Sequence, residues 1–572
     1  MTVFSRYINQ LKRWLKQSVG QYAVRLKFFE PLKKKFKKPV LSLPKPDDLV
    51  DDDLSKQSEN HACSSYVQLK LRFRDVGRMN GIMEALGRDF LTAMPEGAYK
   101  SRLGQIAFLA KHTHEVLTDE NLVNLLEKSQ THLRKHKKSW DAWDKSNLYE
   151  MESMYRHHCK VNPDLTEKLA KLSYEGRRQH KEVLKNNDWD SAKEFLKEMV
   201  TLQQELAQSK CLKDNNHKTE KSYQALMRQY IPGANLDDID VLFNDYEAKL
   251  NKLLPKILAK QSKIDLPIPL EGEFPAELQL WLNKSLIKVL GFDFKRGGLY
   301  ETGHNPVEGG TPDDTRLVIK TSDEMNFLES MKSALHEGGH GIYIQGLPRS
   351  EWRYQPVGQD LGAAVQESQA LLVEMILGRR KEFFEYLSPR VEGLFQRFGE
   401  DYMAPDNLYA LKTRVKPTPD RKNADEVTYF YHIKMRMELE RALISGDLSV
   451  DDLPQAWAEK ISQFCDDVPD CPAKGCLQDV HWFVGKFGYY PAYAMGHMMA
   501  TQIESRMKKD IQNIPDLIRQ GQFQPIKQWL NEHIHSNGRL VRGDDLIESV
   551  TGQKLSAQPL LNHIEERYLK AA

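Results

Sequence analysis

The stretch Leu335-His336-Glu337-Gly338-Gly339-His340-Gly341 decides the fold and contains the pattern H-E-x-x-H. Apolar residues precede it at helical spacing, at Phe327, Met331 and Leu335, and Ser322 is the predicted N-cap. Two histidines four residues apart on a helix lie about 40° apart around its axis and about 6 Å apart along it. Both imidazoles can therefore bind one metal ion.

Glu337 lies between these histidines, beside the metal position, without needing to be a ligand. This is where a general base for a water molecule belongs, because zinc held by three protein ligands keeps its fourth position open. The alternative is a purely structural helix that contains His336, Glu337 and His340 by chance. Gly338 and Gly339 argue against it, since each costs roughly 1 kcal/mol relative to alanine in a helix interior. The glycine pair predicts that another group, from the protein or a ligand, lies close to the helix backbone here.

A third metal ligand is expected from the next predicted helix, residues 358–379, which contains Gln366-Glu367-Ser368-Gln369. A carboxylate on a neighbouring helix commonly completes a site that has two histidines. Glu367 and Glu374 lie two turns apart on one helix face, so the residues alone leave both open.

The rest of the chain is predicted to be mainly α. Residues 65–254 are rich in Leu, Lys, Glu, Gln and Ala, which favours long helices, with breaks near Pro163 and Pro232. The best candidate for a small β-sheet is the segment 297–320, where Arg316-Leu317-Val318-Ile319 is β-prone.

Composition excludes several functional classes. The formal charge of +2 is too small to indicate nucleic-acid binding by the whole chain. Apolar runs never approach the length of a membrane-spanning helix. The six cysteines show no C-x-x-C spacing, which indicates a reducing compartment, and we expect the cytoplasm.

Residues 1–64 differ from the helical body, residues 65–572. They begin with a basic segment whose apolar residues share one helix face, and an acidic, proline-containing linker follows. Such a segment can contact an anionic membrane surface or act as a transit peptide. It can equally be a solvated helix packed on the body.

Two further stretches bring reactive side chains together. Residues 421–432 contain Arg421, Tyr429 and His432, and residues 475–482 contain Asp479 and His481. By themselves, both stretches are better interpreted as buried polar networks than as catalytic groups.

Taken together, these stretches resemble the carboxypeptidase Taq family of metallocarboxypeptidases. The resemblance covers residues 65 to the end, and it consists of several motifs in the same order. They are D-x-R-x-T at 314–318, H-E-x-x-H at 336–340, H-E-S-Q at 366–369, I-R-x-x-A-D at 420–425, T-Y-x-x-H at 428–432 and G-x-x-Q-D-x-H-W at 475–482.

The resemblance implies a helical, saddle-like subunit with a deep active-site cleft, similar to neurolysin, and a homodimer. It implies zinc, with cobalt as an alternative, bound by His336, His340 and Glu367, and leaves Glu374 in reserve. Its arginines, Arg316 and Arg421, are candidates for binding the C-terminal carboxylate of a peptide. The remaining candidates are Tyr429 and His432 for the oxyanion, and Asp479 and His481 for substrate contacts or support of the ligands.

Several positions depart from the family pattern, and none of them is a predicted metal ligand or the base. They are Arg88 for tryptophan before Met94-Pro95, Val318 for threonine, Gln366 for histidine, Asp420 for isoleucine, and the interrupted H-P-F at His304-Asn305-Pro306-Val307. We therefore expect a divergent carboxypeptidase, with Glu337 as general base, that releases single residues from peptides with a free C-terminus. The rival hypothesis is a catalytically silent peptide- or partner-binding protein on the same scaffold.

Overall fold

The computed structural model describes residues 63–211, 221–301 and 309–570, which lie within one unit, Leu54–Ala572. Almost all of the predicted basic extension, residues 1–64, falls outside the described residues, and so does the interrupted motif at His304. Within the described ranges, none of the helices combines the length and the apolar character needed to span a membrane.

Helices form most of the described structure, as predicted. The α-helices are α1 Ser64–Thr92, α2 Tyr99–Thr118, α3 Glu120–Lys135, α4 Ala142–His158, α5 Pro163–Asn186, α6 Trp189–Lys210, α7 Ser222–Met227, α8 Leu236–Gln261, α9 Ala276–Leu290, α10 Phe327–Gly346, α11 Ala363–Leu371, α12 Lys381–Phe395, α13 Pro405–Thr413, α14 Tyr429–Ser445, α15 Leu453–Ile461, α16 Pro491–Asp510, α17 Ile514–Arg519, α18 Gln524–His533, α19 Gly543–Thr551 and α20 Gln558–Ile564. The 3-10 turns are Glu96–Ala98, Lys137–Ser139, Ser350–Trp352, Pro356–Gly358, Asp401–Met403, Arg421–Asn423 and His535–Asn537, and the π-helical turns are Leu372–Leu377 and Glu565–Lys570.

The predicted breaks near Pro163 and Pro232 are confirmed. Pro163 occupies the first turn of α5, where its missing N–H removes no helical hydrogen bond. Asn162 caps that turn by accepting a hydrogen bond from the Asp164 amide at 2.8 Å. Pro232 lies between α7 and α8, outside both helices.

The predicted sheet is also confirmed within residues 297–320. Strands β1 Gly297–Glu301, β2 Gly310–Thr311 and β3 Asp314–Ile319 form it in the order β1-β3-β2. β1 runs parallel to β3 and β2 runs antiparallel to it. β3 is central, and its Leu317 and Ile319 are fully buried beneath α10.

Helix α10 begins later than the sequence pattern indicates. Its N-cap is Asn326, not the predicted Ser322, and the Asn326 side chain accepts hydrogen bonds from the amides of Leu328 and Glu329. Ser322 and the residues after it form turns instead. Nearly all of α10 is buried, so tertiary packing as well as capping holds it in place.

The following helix also differs from its prediction over residues 358–379. It begins at Ala363, because Gly362 has a φ of +93° that ends the preceding loop, and it changes to a π-helical turn at Leu372. Glycines let α11 pack closely on both sides. A Cβ on Gly339 of α10 would lie 2.6 Å from the Ala370 Cα, and one on Gly496 of α16 would lie 2.7 Å from the Glu367 Cβ. The room predicted beside the glycine pair is therefore filled by the α11 backbone.

Candidate metal centre

Helix α10 presents His336 and His340 on one face. Their ring centroids are 4.9 Å apart and the ring planes are nearly perpendicular, at 83°. The His340 side chain is 1% exposed and the His336 side chain is 21% exposed. One imidazole is therefore fixed in the interior, and the other borders the open cavity.

Glu367 of α11 faces both imidazoles. Its Oε2 lies 3.6 Å from the His336 Nε2 and 3.9 Å from the His340 Nε2, and one donor atom from each of the three side chains lies within 4.8 Å of the others. Oε2 is buried and accepts no hydrogen bond from the described residues. A buried carboxylate oxygen costs free energy unless it has a partner, so this atom fits a metal ligand.

Each ligand is oriented by a second side chain. Glu374 Oε2 lies 3.0 Å from the His336 Nδ1, and Gln366 Oε1 lies 3.1 Å from the His340 Nδ1. The Tyr489 hydroxyl donates to the Glu367 Oε1 at 2.7 Å. Such outer hydrogen bonds fix the ring tautomer and leave Nε2 available to a metal.

The two carboxylates that the sequence leaves open have different positions. Glu367 approaches the Nε2 side of His336, while Glu374 lies in the π-helical turn Leu372–Leu377 and binds the opposite nitrogen, Nδ1. The hydrogen bond between Gln366 and His340 explains why glutamine can replace the family's histidine at position 366. The Gln366 amide oxygen is an acceptor for His340, so the change from the family's histidine keeps a partner for this ligand.

Charges around the site determine its protonation. Burial lowers the pKa of His336, but the hydrogen bond that it donates to Glu374 and the charges of Glu367, Glu374 and Glu337 outweigh burial and raise that pKa to about 9. Burial also tends to raise the pKa of Glu374, yet His336, Lys332 and Arg379 together lower it. The site is thus rich in negative charge and favours a cation between the ligands.

A cavity of about 500 Å³ opens at the three ligands, and Glu337 lines it. Of the other predicted site residues, Arg421, Tyr429, Asp479 and His481 also line this cavity. Four stretches that are distant in sequence therefore meet at one site.

Two predicted residues lie elsewhere. Arg316 does not line this cavity; it borders a second cavity between α1 and the sheet, and its guanidinium pairs with Asp314 at 2.7 Å. His432 lies on the buried side of α14 against Phe464 and Arg436, with no exposed surface. Burial and the charge of Arg436 lower the pKa of His432 well below its usual value. The structure therefore does not bring Arg316 and His432 to the metal-centre cavity.

Asp479 organises the cavity wall beside Tyr429. It accepts hydrogen bonds from Arg421 at 2.6 Å and from Arg436 at 2.7 Å, so two guanidinium groups share one carboxylate. Both arginines outweigh the effect of burial and hold the pKa of Asp479 well below its usual value. The group formed by Arg421, Arg436 and Asp479 therefore has a net charge of one positive unit.

Two further tyrosines of the cavity, Tyr489 and Tyr493, were not predicted from the sequence. Tyr489 holds Glu367, and Tyr493, four residues later, lies 3.1 Å through its hydroxyl from the His481 Nε2. The signal in the sequence is the run of tyrosines at 489, 490 and 493 that follows the G-x-x-Q-D-x-H-W stretch. Glu440 fixes the connecting loop by accepting hydrogen bonds from the Gly488 amide and the Trp482 indole.

Comparison with known proteins agrees with this geometry. A family model described as carboxypeptidase Taq (M32) metallopeptidase matches residues 68–568. The chain belongs to this family. It is 31% identical over 483 residues to thermostable carboxypeptidase 1 of Thermus thermophilus, covering 84% of this chain and 93% of that protein. It is 33% identical over 350 residues to carboxypeptidase 1 of Bacillus subtilis, covering 61% of this chain and 69% of that protein.

Solved structures show the same fold. Metallocarboxypeptidase 1 of Trypanosoma cruzi superposes with a TM-score of 0.81 at 28% identity, covering 89% of this chain and all of that one. Membership of the carboxypeptidase Taq family supports carboxypeptidase activity on peptides and implies a metal cofactor. The described residues contain one matching group of donors, His336, His340 and Glu367.

Proposed function

We propose that this member of the carboxypeptidase Taq family is a zinc carboxypeptidase that releases single C-terminal amino acids from peptides. The observation that carries the proposal is the buried Glu367 Oε2, which lacks a hydrogen bond from the described residues and faces two imidazole Nε2 atoms. Two nitrogens and one carboxylate oxygen are a ligand set typical of catalytic zinc, and cobalt is the alternative.

A bound divalent cation supplies Lewis-acid activation of a water molecule and of the scissile carbonyl. Glu337 is buried at 4% exposure, lines the cavity and follows His336 directly. Its carboxylate accepts a proton from the attacking water and delivers that proton to the nitrogen of the departing amino acid. The C–N bond breaks as the new C–O bond becomes part of the product carboxylate.

Arg421 is the proposed anchor for the substrate's C-terminal carboxylate. Its guanidinium lines the cavity, and its partner Asp479 is also bound by Arg436. One carboxylate cannot neutralise two arginines, so a second carboxylate from the substrate is favoured there. Asp479 then acts by positioning Arg421.

Tyr429 is the proposed donor to the oxyanion. Burial raises its pKa above the usual value of a phenol, so the hydroxyl keeps its proton at neutral pH and can donate a hydrogen bond. His481 is neutral, because burial lowers its pKa well below the usual value, and it supports Tyr493 at the cavity wall.

Four wider features remain proposals. The catalytic body is residues 65–572, and the family resemblance favours a homodimer. None of the six cysteines, all of which lie in the described ranges, forms a disulfide bond, and this supports residence in the cytoplasm. Peripheral membrane contact through the basic extension would be tested by vesicle binding.

The decisive experiment is a peptide digest followed by mass spectrometry. We expect stepwise loss of single C-terminal residues, inhibition by a chelator, and no loss from the same peptide with an amidated C-terminus. The Glu337→Gln protein should bind metal as the wild type does but leave the peptide intact. An intact peptide with metal-loaded wild-type protein would instead favour a silent peptide-binding protein.

A further inference from the structure

Helix α20 and the π-helical turn after it, Glu565–Lys570, pack against α8 and α16. Leu561 and Ile564 of α20 are buried in the core. Residues 558–570 do not line the metal-centre cavity. One of their side chains, Arg567, nevertheless makes hydrogen bonds to two segments that do line it, and the proposed mechanism gives this arginine no role.

Arg567 joins these two segments through one guanidinium group. Its Nη1 donates to the Met375 carbonyl oxygen at 2.9 Å, and its Nη2 donates to the Ile376 carbonyl oxygen at 3.2 Å. Nη1 also donates to the Glu426 Oε2 at 2.6 Å. The Arg567 side chain is 7% exposed and the Glu426 side chain is fully buried, so these hydrogen bonds are made away from bulk water.

The two carbonyl groups belong to the π-helical turn Leu372–Leu377, in which Glu374 lies. The last carbonyl groups of a helix have no amide partner further along that helix, so they need donors from elsewhere. A guanidinium group has several N–H donors in one plane, and its positive charge suits the negative end of the helix dipole. Arg567 therefore fixes the end of the turn from which the Glu374 side chain extends.

Glu374 directly precedes Met375, and both of its carboxylate oxygens have partners. Oε2 lies 3.0 Å from the His336 Nδ1, and Oε1 accepts a hydrogen bond from Arg379 at 3.2 Å. The contact with Nδ1 fixes the tautomer and the orientation of the imidazole, which leaves Nε2 for a metal. The position of the backbone at Met375 therefore determines whether the Glu374 carboxylate reaches His336.

Glu426 fixes the opposite side of the Arg567 guanidinium. The Glu426 Oε2 also accepts a hydrogen bond from the Tyr568 hydroxyl at 2.9 Å, and its Oε1 lies 3.0 Å from the His563 Nε2. Glu426 is three residues before Tyr429, which lines the cavity. Because the carboxylate is held by several partners in the interior, it holds the guanidinium in one place.

We propose that Arg567 is a positioning residue for the metal centre. It acts through the turn Leu372–Leu377, whose carbonyl groups it binds, and keeps the Glu374 carboxylate on the Nδ1 of His336. This inference rests on the ligand set of the proposed function. Loss of Arg567 releases the turn, so metal binding weakens even in a protein that remains folded.

The test measures zinc affinity of the full-length protein by competition with a chromophoric chelator. Arg567→Met alone leaves Glu426 buried without its guanidinium partner, which destabilises the fold, whereas removal of both charges of a buried pair is often tolerated. The test variant is therefore Arg567→Met/Glu426→Gln. We expect its zinc Kd to rise about 3- to 10-fold, less than the 10- to 100-fold typical of a direct partner of a ligand, because Arg567 acts one step further away.

A second variant and a second measurement separate this role from folding. Arg567→Lys keeps a positive charge for Glu426 but lacks the planar donors that bind two carbonyl groups at once, so it should also weaken zinc binding. The absorption spectrum of the cobalt-loaded protein responds to ligand geometry and should change in both variants. Thermal unfolding of the metal-free proteins, measured alongside, reports the stability of the fold.

Combination with Glu374→Gln tests the route through which Arg567 acts. If Arg567 positions Glu374, then adding Arg567→Met/Glu426→Gln to Glu374→Gln should raise the zinc Kd by less than about twofold, because the partner that it positions is already gone. Arg102→Met is the matched control. The Arg102 Nη1 donates to the Leu86 carbonyl oxygen at 3.0 Å and lies 2.6 Å from the Asp89 carboxylate, where α2 contacts α1, so zinc affinity should stay at the wild-type value.

Three results overturn the inference while leaving the proposed function intact. They are wild-type zinc affinity in both Arg567→Met/Glu426→Gln and Arg567→Lys, an equally large loss in the Glu374→Gln background, and an equally large loss in Arg102→Met. A wild type that binds no zinc overturns the proposed function, and the inference with it. Peptide hydrolysis by the zinc-loaded wild type, measured in parallel, tests the proposed function alone.

Discussion

Replacing Tyr489 with phenylalanine tests how the carboxylate ligand is held. The Tyr489 hydroxyl donates to the Glu367 Oε1 at 2.7 Å, and this orients the other oxygen, Oε2, toward both histidines. The hydroxyl is buried and its acceptor is charged, so the hydrogen bond is worth about 1.5–3 kcal/mol. Without it, Glu367 can rotate or bind in a different geometry, and we expect metal affinity to fall about 10- to 100-fold.

The assay is competition for zinc between the protein and a chromophoric chelator at fixed pH, with the thermal unfolding of the metal-free protein measured alongside. Tyr493→Phe is the matched control. It removes a hydroxyl from the same cavity, four residues later in the sequence, whose partner is His481 and not a metal ligand. Equal zinc affinities for wild type and Tyr489→Phe would refute the role of Tyr489, as would an equal loss in both variants.

Three other perturbations have defined outcomes. Glu374→Gln replaces the carboxylate on the His336 Nδ1, and chelator competition should show about 10- to 100-fold weaker zinc binding with an unchanged fold. Arg421→Met should raise KM for a peptide with a free C-terminus by about 10- to 100-fold, measured by steady-state kinetics, because a charge-assisted hydrogen bond of about 1.5–3 kcal/mol is lost; an unchanged KM would contradict the anchor. Arg567→Met leaves the buried Glu426 without its guanidinium partner and should cost about 3–5 kcal/mol in urea unfolding at pH 7. Despite burial, Arg567 and His563 lower the pKa of Glu426 well below its usual value. The stability that the ionised Glu426 contributes is therefore present above the unfolded pKa of about 4.3 and is lost as pH falls through the folded pKa. The unfolding free energy of Arg567→Met should depend less on pH in this acid range than that of the wild type.

Much of the metal centre could be predicted because it depends on local spacing. His336, Glu337 and His340 share a short helical segment, so their relative positions follow from helix geometry. The sheet at 297–320 was equally local, with β-prone residues between turn signals. The start of α10 was misplaced because Ser322 and Asn326 are both good N-caps, and only packing selects Asn326.

The rest of the site depends on contacts that spacing does not contain. Glu367 and Glu374 have equivalent positions on an ideal helix, but the π-helical turn Leu372–Leu377 and the crossing at Gly339 place them on opposite nitrogens of His336. The pairing of Asp479 with Arg421 and Arg436 joins three distant stretches, and no local pattern indicates it. The same limit applies to Arg316, which borders the second cavity, since a motif gives residue type but not the cavity that the side chain lines.

Anomalous diffraction from crystals grown with zinc would show directly which residues bind the metal. We expect one strong peak about 2.0–2.2 Å from a nitrogen of His336, a nitrogen of His340 and an oxygen of Glu367, with Glu374 remaining on the Nδ1 of His336. Absence of a peak at saturating zinc, or a peak bound by Glu374 with Glu367 turned away, would contradict this expectation.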